Sequence, residues 1–365
     1  MTGPFDELTI RGRTVPNRLM LAPMCQYSAE DQDGLPTEWH HVHYGTRAVG
    51  GAGIVMTEAT AVEPRGRITP WDLGIWTDEQ AEAYRRTTDF IREQGSMPAI
   101  QLAHAGRKAS TSRPWEGGDP IQPADGGWEV VGPSDTPWPY REAEAPPTSA
   151  MDEEDVDGVI EAFATGAERA VEAGFEIVEV HAAHGYLLHE FLSPVTNHRE
   201  DAYGGDFEGR TRLVREITEA VRSAIGDEIP LFVRISATDW IDEEESWDLD
   251  QSIRLADRLY EAGADLIDTS TSGIRPGVKI PYTGPNFQVR FAEAIRQETE
   301  TEVRTAAVGG IKTPEQVAAV LANDRADLVV VGREFLHDPY FPLHVAETLD
   351  EIDGFEPPLQ YRRGF

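Results

Sequence analysis

Short apolar segments recur along the whole chain, separated by longer segments in which apolar residues repeat every three or four positions. Most of the short segments are almost continuously apolar, which is typical of parallel strands that are covered on both faces. The predicted strands are residues 18–22, 53–57, 98–102, 177–180, 231–235, 266–269, 303–306 and 328–331.

The segments between the strands have helical periodicity. Residues 155–173 and 250–262 carry apolar side chains on one face, and each segment ends at a glycine. Residues 313–322 place Pro314 at the first helical position, where proline is favoured. Strands that alternate with helices in this way predict an α/β fold, a closed (β/α)8 TIM barrel formed by residues 1–365 as a single domain.

Two segments fall outside this alternation. Residues 1–15 predict a small hairpin that closes the bottom of the barrel. Residues 113–147, after the third strand, contain eight prolines together with Trp115, Trp128 and Trp138. We expect an ordered excursion here, because aromatic anchors would have no use in a disordered linker.

Charge changes the picture of the surface. Asp and Glu number 65 against 32 Lys and Arg, giving a net charge of −33, and the only lysines are Lys108, Lys279 and Lys312. Such a surface repels nucleic acid and anionic membranes, so we expect neither as a partner. Molar salt shortens the screening length to about 3 Å and relieves self-repulsion. Our hypothesis is a halophilic source; the alternative is an ordinary acidic cytosolic protein.

The single cysteine, Cys25, excludes an intrachain disulfide and a four-cysteine metal or iron–sulfur site. No run approaches the roughly 18 apolar residues of a membrane span. The first residues lack the pattern of a signal peptide. We therefore expect a cytoplasmic protein.

The most informative motif follows the fourth predicted strand, where His181, His184 and Tyr186 occur within six residues. In such barrels the active site lies at the carboxyl ends of the strands. Two imidazoles and a phenol at this spacing can hold a carbonyl oxygen and supply a proton, bind a metal, or simply form a loop. A metal site needs a third ligand, and His189 and His198 lie downstream on a predicted helix and loop.

Glycines follow the last two strands, at Gly309-Gly310 and at Gly332-Arg333. These loops are the usual phosphate site of such barrels, because glycine exposes backbone N–H groups. The pattern predicts a phosphate-bearing cofactor with its ring at the barrel centre. No Rossmann fingerprint follows a strand, which argues against a separate dinucleotide domain.

In their joint order, these motifs resemble the old yellow enzyme family of FMN-dependent ene-reductases over essentially the whole chain. The matching motifs are Ala22-Pro23-Met24, Glu58-Ala59, Gln101 to Arg107, His181 to Leu187, Arg234 and Val331-Gly332-Arg333. Cys25, Tyr27 and the tail at residues 355–365 are similar to the thermophilic-like subgroup. That subgroup usually ends in Trp, whereas this chain ends in Phe365.

The resemblance implies noncovalently bound FMN, with NADPH or NADH as the hydride donor at the same face. Cys25 would also tune the flavin, and Arg234 would face the ring region that becomes negative on reduction. The implied cofactor-binding residues are Ala22, Pro23, Met24, Cys25, Ala59, Gln101, Arg234, Gly309, Gly332 and Arg333.

The resemblance also implies reduction of small enones and enals. His181 and His184 would bind the substrate carbonyl, so that hydride from flavin N5 reaches the β-carbon. Tyr186 would give a proton to the α-carbon, and Tyr27 would position the substrate. Arg363 would reach the active site of a neighbouring subunit, which requires a homodimer or homotetramer.

Two other functions stay open. One is a metal-dependent TIM-barrel hydrolase built on the histidines, which a colourless protein containing zinc would favour. The other is a flavin-binding module without turnover, whose reduced flavin an enone would not reoxidise. His40, His41 and His43 lie in a predicted helix before the second strand, and we interpret them as packing and hydrogen-bonding residues.

Overall fold

The computed structural model describes residues 2–352 and 355–364, so Phe365 of the predicted tail lies outside the described residues. The strands are β1 (Leu8–Ile10), β2 (Arg13–Val15), β3 (Leu19–Leu21), β4 (Ile54–Ala61), β5 (Met97–Ala103), β6 (Val130–Gly132), β7 (Thr148–Ala150), β8 (Ile177–Ala182), β9 (Leu231–Ser236), β10 (Leu266–Ser270), β11 (Arg304–Ala307) and β12 (Leu328–Val331).

Eight parallel strands form the closed barrel that the apolar pattern predicts. Around the barrel they follow in the order β3, β4, β5, β8, β9, β10, β11 and β12, and β12 pairs with β3 to close it. All eight predicted strands lie at their expected places, and the prediction of a (β/α)8 TIM barrel is confirmed.

Helices connect the strands and cover the barrel. They are α1 (Glu38–Val49), α2 (Asp78–Glu93), α3 (Glu153–Glu172), α4 (Leu187–Leu192), α5 (Phe207–Ile225), α6 (Leu249–Glu261), α7 (Val289–Glu298), α8 (Pro314–Ala322), α9 (Arg333–His337) and α10 (Phe341–Thr348). The three predicted helices correspond to α3, α6 and α8. Side-chain caps fix their first turns, since Asp152, Asp248 and Thr313 accept hydrogen bonds from backbone N–H groups. None of the described helices is long and apolar enough to cross a membrane.

The N-terminal hairpin of β1 and β2 covers the bottom of the barrel, as predicted. Leu8, Ile10 and Val15 join one buried cluster with side chains from the amino ends of the barrel strands, such as Ile54 and Phe232. Apolar contacts therefore fill this end of the barrel interior.

The excursion after β5 is also present as predicted, and the short parallel pair β6–β7 lies within it and at its end. Its tryptophans differ in their roles. The Trp128 indole N–H donates to the Arg65 carbonyl at 2.9 Å, and Lys108 Nζ lies 4.6 Å from the Trp138 ring centroid. Trp115 is 63% exposed, so it anchors the excursion less than the other two do.

Candidate active site

The carboxyl ends of the barrel strands surround a cavity of about 290 Å³. His184 lies on the wall of this cavity. The predicted cofactor-binding residues on the wall are Ala22, Pro23, Met24, Arg234, Gly309, Gly332 and Arg333. Ala59 and Gln101 are buried partners in the β4–β5 register, and Ala59 lines a small void beside this site. The fold thus brings together residues that are more than 300 positions apart in the chain.

The glycine-rich wall of this cavity suits a phosphate. Gly309 and Gly310 adopt left-handed backbone conformations with φ of 115° and 72°. A Cβ atom on Gly309 would lie only 2.9 Å from Nε2 of Gln288, so glycine is required by both conformation and space. Lys312 and Arg333 line the same cavity and add positive charge. Together these groups fit an anionic group such as the phosphate of FMN.

Buried polar side chains on β5, β8, β9 and β10 form a layer inside the barrel. The Gln101 amide donates to Glu179 Oε1 at 2.8 Å, and Arg234 Nε lies 3.1 Å from Asp268 Oδ2. Burial and the neighbouring Asp268 carboxylate raise the pKa of Glu179, and burial also raises the pKa of Asp268. Arg234 also lines the cavity. Its positive charge at this position fits the electron-rich edge of a flavin ring.

His181 and His184 form a hydrogen-bonded pair whose tautomers follow from their partners. The Ala183 N–H donates to His181 Nδ1 at 3.2 Å, so the His181 proton lies on Nε2. That Nε2 is 3.3 Å from His184 Nδ1, which therefore accepts. The His184 proton lies on Nε2, 2.7 Å from Ser270 Oγ. Burial and the charge of Arg234 lower the pKa of both rings well below the usual range, so both are neutral.

The loop that carries the motif is held by close backbone packing. His184 has φ of 60° and Gly185 has φ of 69°, and a Cβ atom on Gly185 would lie 2.0 Å from the Gly273 carbonyl oxygen. The Gly185 N–H donates to His189 Nδ1 at 2.8 Å, and His189 Nε2 lies 3.0 Å from Asp239 Oδ1. His189 is therefore a support of this loop. Across residues 2–352 and 355–364, no group of three or more His, Cys, Asp or Glu could hold a metal.

Tyr186 joins the histidines to a second cavity, also of about 290 Å³. Its ring packs edge-to-face on His181, with centroids 5.2 Å apart. Burial raises the pKa of Tyr186 well above the usual range, and Cys25 and Asp72 raise it further. The phenol is therefore protonated. Aromatic and polar side chains line this second cavity, which we call the aromatic cavity; they include Tyr27, Lys108, Trp138, Tyr140 and Tyr186.

Cys25 and Tyr27 follow β3 and lie near Tyr186. Burial raises the pKa of the Cys25 thiol, so the thiol is neutral. The neighbouring Cys25 and burial raise the pKa of Tyr27, which is neutral as well. Tyr27 has φ of 51°, in the left-handed region.

Glu58 anchors the segment that carries Cys25 and Tyr27. The register of β4 against β5 shifts close to Glu58, between residues 56 and 59. The Glu58 carboxylate accepts hydrogen bonds from the Gln26 backbone N–H at 2.6 Å and from the Tyr44 hydroxyl at 2.9 Å. The buried His40, whose Nδ1 accepts from the Thr37 N–H, packs on the same carboxylate with Nε2 at 3.4 Å. Glu58 therefore positions the loop after β3.

Known proteins identify the family to which this site belongs. The sequence profile of the NADH:flavin oxidoreductase / NADH oxidase family matches residues 5–351. The chain belongs to this family. An NADPH dehydrogenase of Geobacillus sp. (strain WCH70) is 43% identical over 361 residues, covering 99% of this chain and 98% of that protein. An NADPH dehydrogenase of Bacillus subtilis (strain 168) is 42% identical over 363 residues, covering 99% and 98%.

Solved structures of flavin oxidoreductases agree with this membership. Morphinone reductase superposes with a TM-score of 0.76 at 26% identity, covering 95% of this chain and 90% of that one. The old yellow enzyme homologue from Zymomonas mobilis superposes with a TM-score of 0.77 at 27% identity, covering 95% and 93%. The predicted membership of the old yellow enzyme family is confirmed, and with it FMN as the cofactor and NADPH or NADH as the electron donor.

Several residues of this old yellow enzyme were not predicted for the site. Ser270, Gln288 and Lys312 line the first cavity, at the carboxyl ends of the strands, which we call the cofactor cavity because its lining fits FMN; Lys108 lines the aromatic cavity. Ser270 ends β10, so its position at a strand end was the available signal. By contrast, the predicted Arg363 is exposed, and no ion pair of its guanidinium occurs within the described chain.

Proposed function

We propose that this old yellow enzyme reduces the carbon–carbon double bond of small α,β-unsaturated carbonyl compounds. The observation that carries the proposal is the position of His181, His184 and Tyr186, which lie between the cofactor cavity and the aromatic cavity. When bound, FMN would supply the hydride chemistry between NADPH or NADH and the β-carbon of the substrate. The side chains of the protein then have to polarise the carbonyl and provide one proton.

The histidine pair polarises the substrate carbonyl. His181 Nε2–H is a donor that now points to His184, so a carbonyl oxygen can take that hydrogen bond. His184 donates to the same oxygen when its proton lies on Nδ1, with the Ser270 hydroxyl donating to Nε2. Withdrawing electron density onto the oxygen makes the β-carbon electrophilic.

Tyr186 provides the proton for the α-carbon. Its raised pKa keeps the phenol protonated until negative charge develops on the neighbouring carbon. Tyr27 lines the same cavity and helps to position the substrate. Both histidines and Tyr186 are neutral, so none of these three side chains carries a charge that would attract water into the site.

Replacement of Tyr186 tests this assignment. In Tyr186→Phe we expect reoxidation of the reduced enzyme by 2-cyclohexenone to slow by about a hundredfold, because one general acid contributes about that much. Reduction by NADPH should stay near the wild-type rate. Anaerobic stopped-flow absorbance measures both half-reactions, and Tyr260→Phe on the outer helix α6 is the matched control.

Two results would contradict the proposal in different ways. If reduced Tyr186→Phe were reoxidised at the wild-type rate, Tyr186 would not be the proton donor. A wild-type enzyme that NADPH reduces, but that no enone reoxidises, would favour a flavin-binding module without ene-reductase turnover.

We also propose that the enzyme is a cytoplasmic homodimer or homotetramer in which the tail completes a neighbouring site. The support is Arg363, an exposed tail arginine at some distance in the chain from the barrel. Truncation after Pro358 should lower enone reduction while flavin content stays the same, and the mass in solution reports the assembly. If the truncated chain reduced enones with unchanged kinetics, the tail would not be part of the active site.

A further inference from the structure

Lys108 is a partly buried cation that lies between the active-site loops. It follows β5, and its Nζ donates to the His184 carbonyl at 2.7 Å and approaches the Gly273 carbonyl at 3.4 Å. The same Nζ lies 4.6 Å from the Trp138 ring centroid and 4.8 Å from the Tyr186 ring centroid. Lys108 therefore touches the histidine loop, the loop after β10 and the excursion, while its charge faces the ring of the proposed proton donor.

This charge is not neutralised by an ion pair. Within the part of the chain that the structure describes, no carboxylate pairs with the Lys108 ammonium. Glu190 is the nearby carboxyl group, but it accepts the Arg107 backbone N–H at 3.1 Å, and burial raises its pKa to about 8. Burial lowers the pKa of Lys108 itself to about 8. Lys108 is thus charged at neutral pH and close to losing its proton.

A nearby cation makes it easier for Tyr186 to act as an acid. Burial, Cys25 and Asp72 all raise its pKa, and each of them makes release of its proton harder. A cation on the face of an aromatic ring attracts the π electrons, and it attracts a phenolate more strongly. Lys108 is the only cation that lies on the Tyr186 ring face among residues 2–352 and 355–364.

We propose that Lys108 is a positioning residue for proton delivery, whose ammonium stabilises the Tyr186 phenolate formed as the proton leaves. This inference rests on the proposed function. In this step the β-carbon would gain the hydride that NADPH provides through bound FMN, and the α-carbon takes the proton as the Tyr186 O–H bond breaks. Water then reprotonates the phenolate and leaves hydroxide. Lys108 keeps its own protons throughout and acts only through its charge.

Several titratable or charged groups surround this pair and could contribute to a pH profile. Burial raises the pKa of Asp72 to about 7, so it titrates near the same range as Lys108. The groups that face Lys108 or Tyr186 are Cys25, Tyr27, Asp72, Arg107, His181, His184 and Glu190. The test must therefore separate Lys108 from these neighbours by substitution.

The experiment compares Lys108→Met, Lys108→Arg and the control Lys279→Met, which removes an exposed lysine. Anaerobic stopped flow follows reoxidation of the NADPH-reduced holoenzyme by 2-cyclohexenone from pH 6 to pH 10. In wild type and in Lys279→Met, the rate should fall as pH rises through about 8, because Lys108 loses its charge. Lys108→Met should be slower by about tenfold at pH 7 and lack this fall.

Lys108→Arg separates charge from packing. Arginine stays charged across the whole range, so it should restore most of the rate and move the fall to higher pH. In Lys108→Met, a larger solvent deuterium isotope effect on reoxidation should accompany the lower rate, since proton transfer becomes more limiting. A purely structural role would instead lower flavin content or slow reduction by NADPH.

The outcomes separate the inference from the proposed function. If Lys108→Met and Lys279→Met share one rate and one pH profile while Tyr186→Phe is slow, the Lys108 inference is overturned alone. If the fall near pH 8 survives in Lys108→Met but disappears in Glu190→Gln, the charge belongs to Glu190 and the inference is also overturned. If Tyr186→Phe is as fast as wild type, both fail.

Discussion

The two halves of the barrel interior differ in chemistry although the same strands build both. Toward the amino ends, the inward side chains are apolar and buried; they include Ala99, Ile177, Phe232 and Leu266. Two residues further along the same strands lie Gln101, Glu179, Arg234 and Asp268, which are also buried. Residues two apart face the same side of a strand, so each of these four strands, β5, β8, β9 and β10, changes from apolar to polar within one step.

Along each of these strands, the residues toward the amino end contribute to stability and those toward the carboxyl end form the site. Burial of apolar area stabilises the lower half by about 25 cal/mol per Å². In the upper half, Glu179 Oε2 and Asp268 Oδ1 lack hydrogen-bond partners within the described residues, and Arg234 Nε is held by the ion pair with Asp268 Oδ2. A buried polar group without a partner costs about 1–3 kcal/mol, so this half is arranged for a ligand at the expense of stability.

The largest expected effect is in the apolar half. Phe232→Ala removes a fully buried ring two residues before Arg234 on β9, and should lower the free energy of unfolding by about 3–5 kcal/mol. Urea unfolding of the FMN-free protein, followed by circular dichroism, measures this loss. Leu336→Ala, at a side chain that is 49% exposed, is the matched control and should cost less than about 1 kcal/mol.

Salt sharpens the same comparison, because it acts on the surface and not on the interior. We propose that the net charge of −33 reflects a salt-rich source, so molar potassium chloride should raise the melting temperature of wild type and of Phe232→Ala. The difference in melting temperature between wild type and Phe232→Ala should persist in salt. A gap that closes in salt would contradict the division into interior and surface effects, and equal melting in dilute and molar salt would remove the halophile proposal.

A smaller, pH-dependent effect is expected in the polar half. The folded-state pKa of Glu179 is raised, so the folded protein keeps a proton that the unfolded chain releases above its ordinary pKa of about 4.3. The stability of wild type should therefore fall as pH rises from about 4 toward the raised pKa. Glu179→Gln stays neutral, so it should match wild type near pH 4 and exceed it by more than about 1 kcal/mol at higher pH.

Urea unfolding of the FMN-free protein across this pH range measures the difference, with the exposed Glu298→Gln as the control. Parallel stability curves for wild type and Glu179→Gln would show that Glu179 titrates at an ordinary pKa. That result would weaken the contrast between the two halves of the barrel.

The barrel could be predicted from the sequence because each strand is covered on both faces and therefore reads as an apolar run. The predicted bounds fall short where packing extends a strand: β4 runs to residue 61 rather than 57. The second half of β4 contains Glu58, which is held by hydrogen bonds from Tyr44 and Gln26. No local sequence pattern predicts these contacts.

The site divides in the same way. His181, His184, Tyr186 and the glycines after the last strands could be placed because they directly follow strands whose carboxyl ends must meet. Lys108 and Ser270 could not be assigned roles, since those depend on Trp138, Tyr186 and His184 being brought against them by distant segments.

The sequence by itself determined the barrel, the cofactor class and the identity of the side chains at the strand ends, because apolar periodicity and motif order are local properties. Only the tertiary structure decided which tautomer each histidine holds, which carboxyl groups stay protonated and where the ammonium of Lys108 lies. Those properties depend on burial and on contacts of 2.7 to 5 Å between residues far apart in the chain.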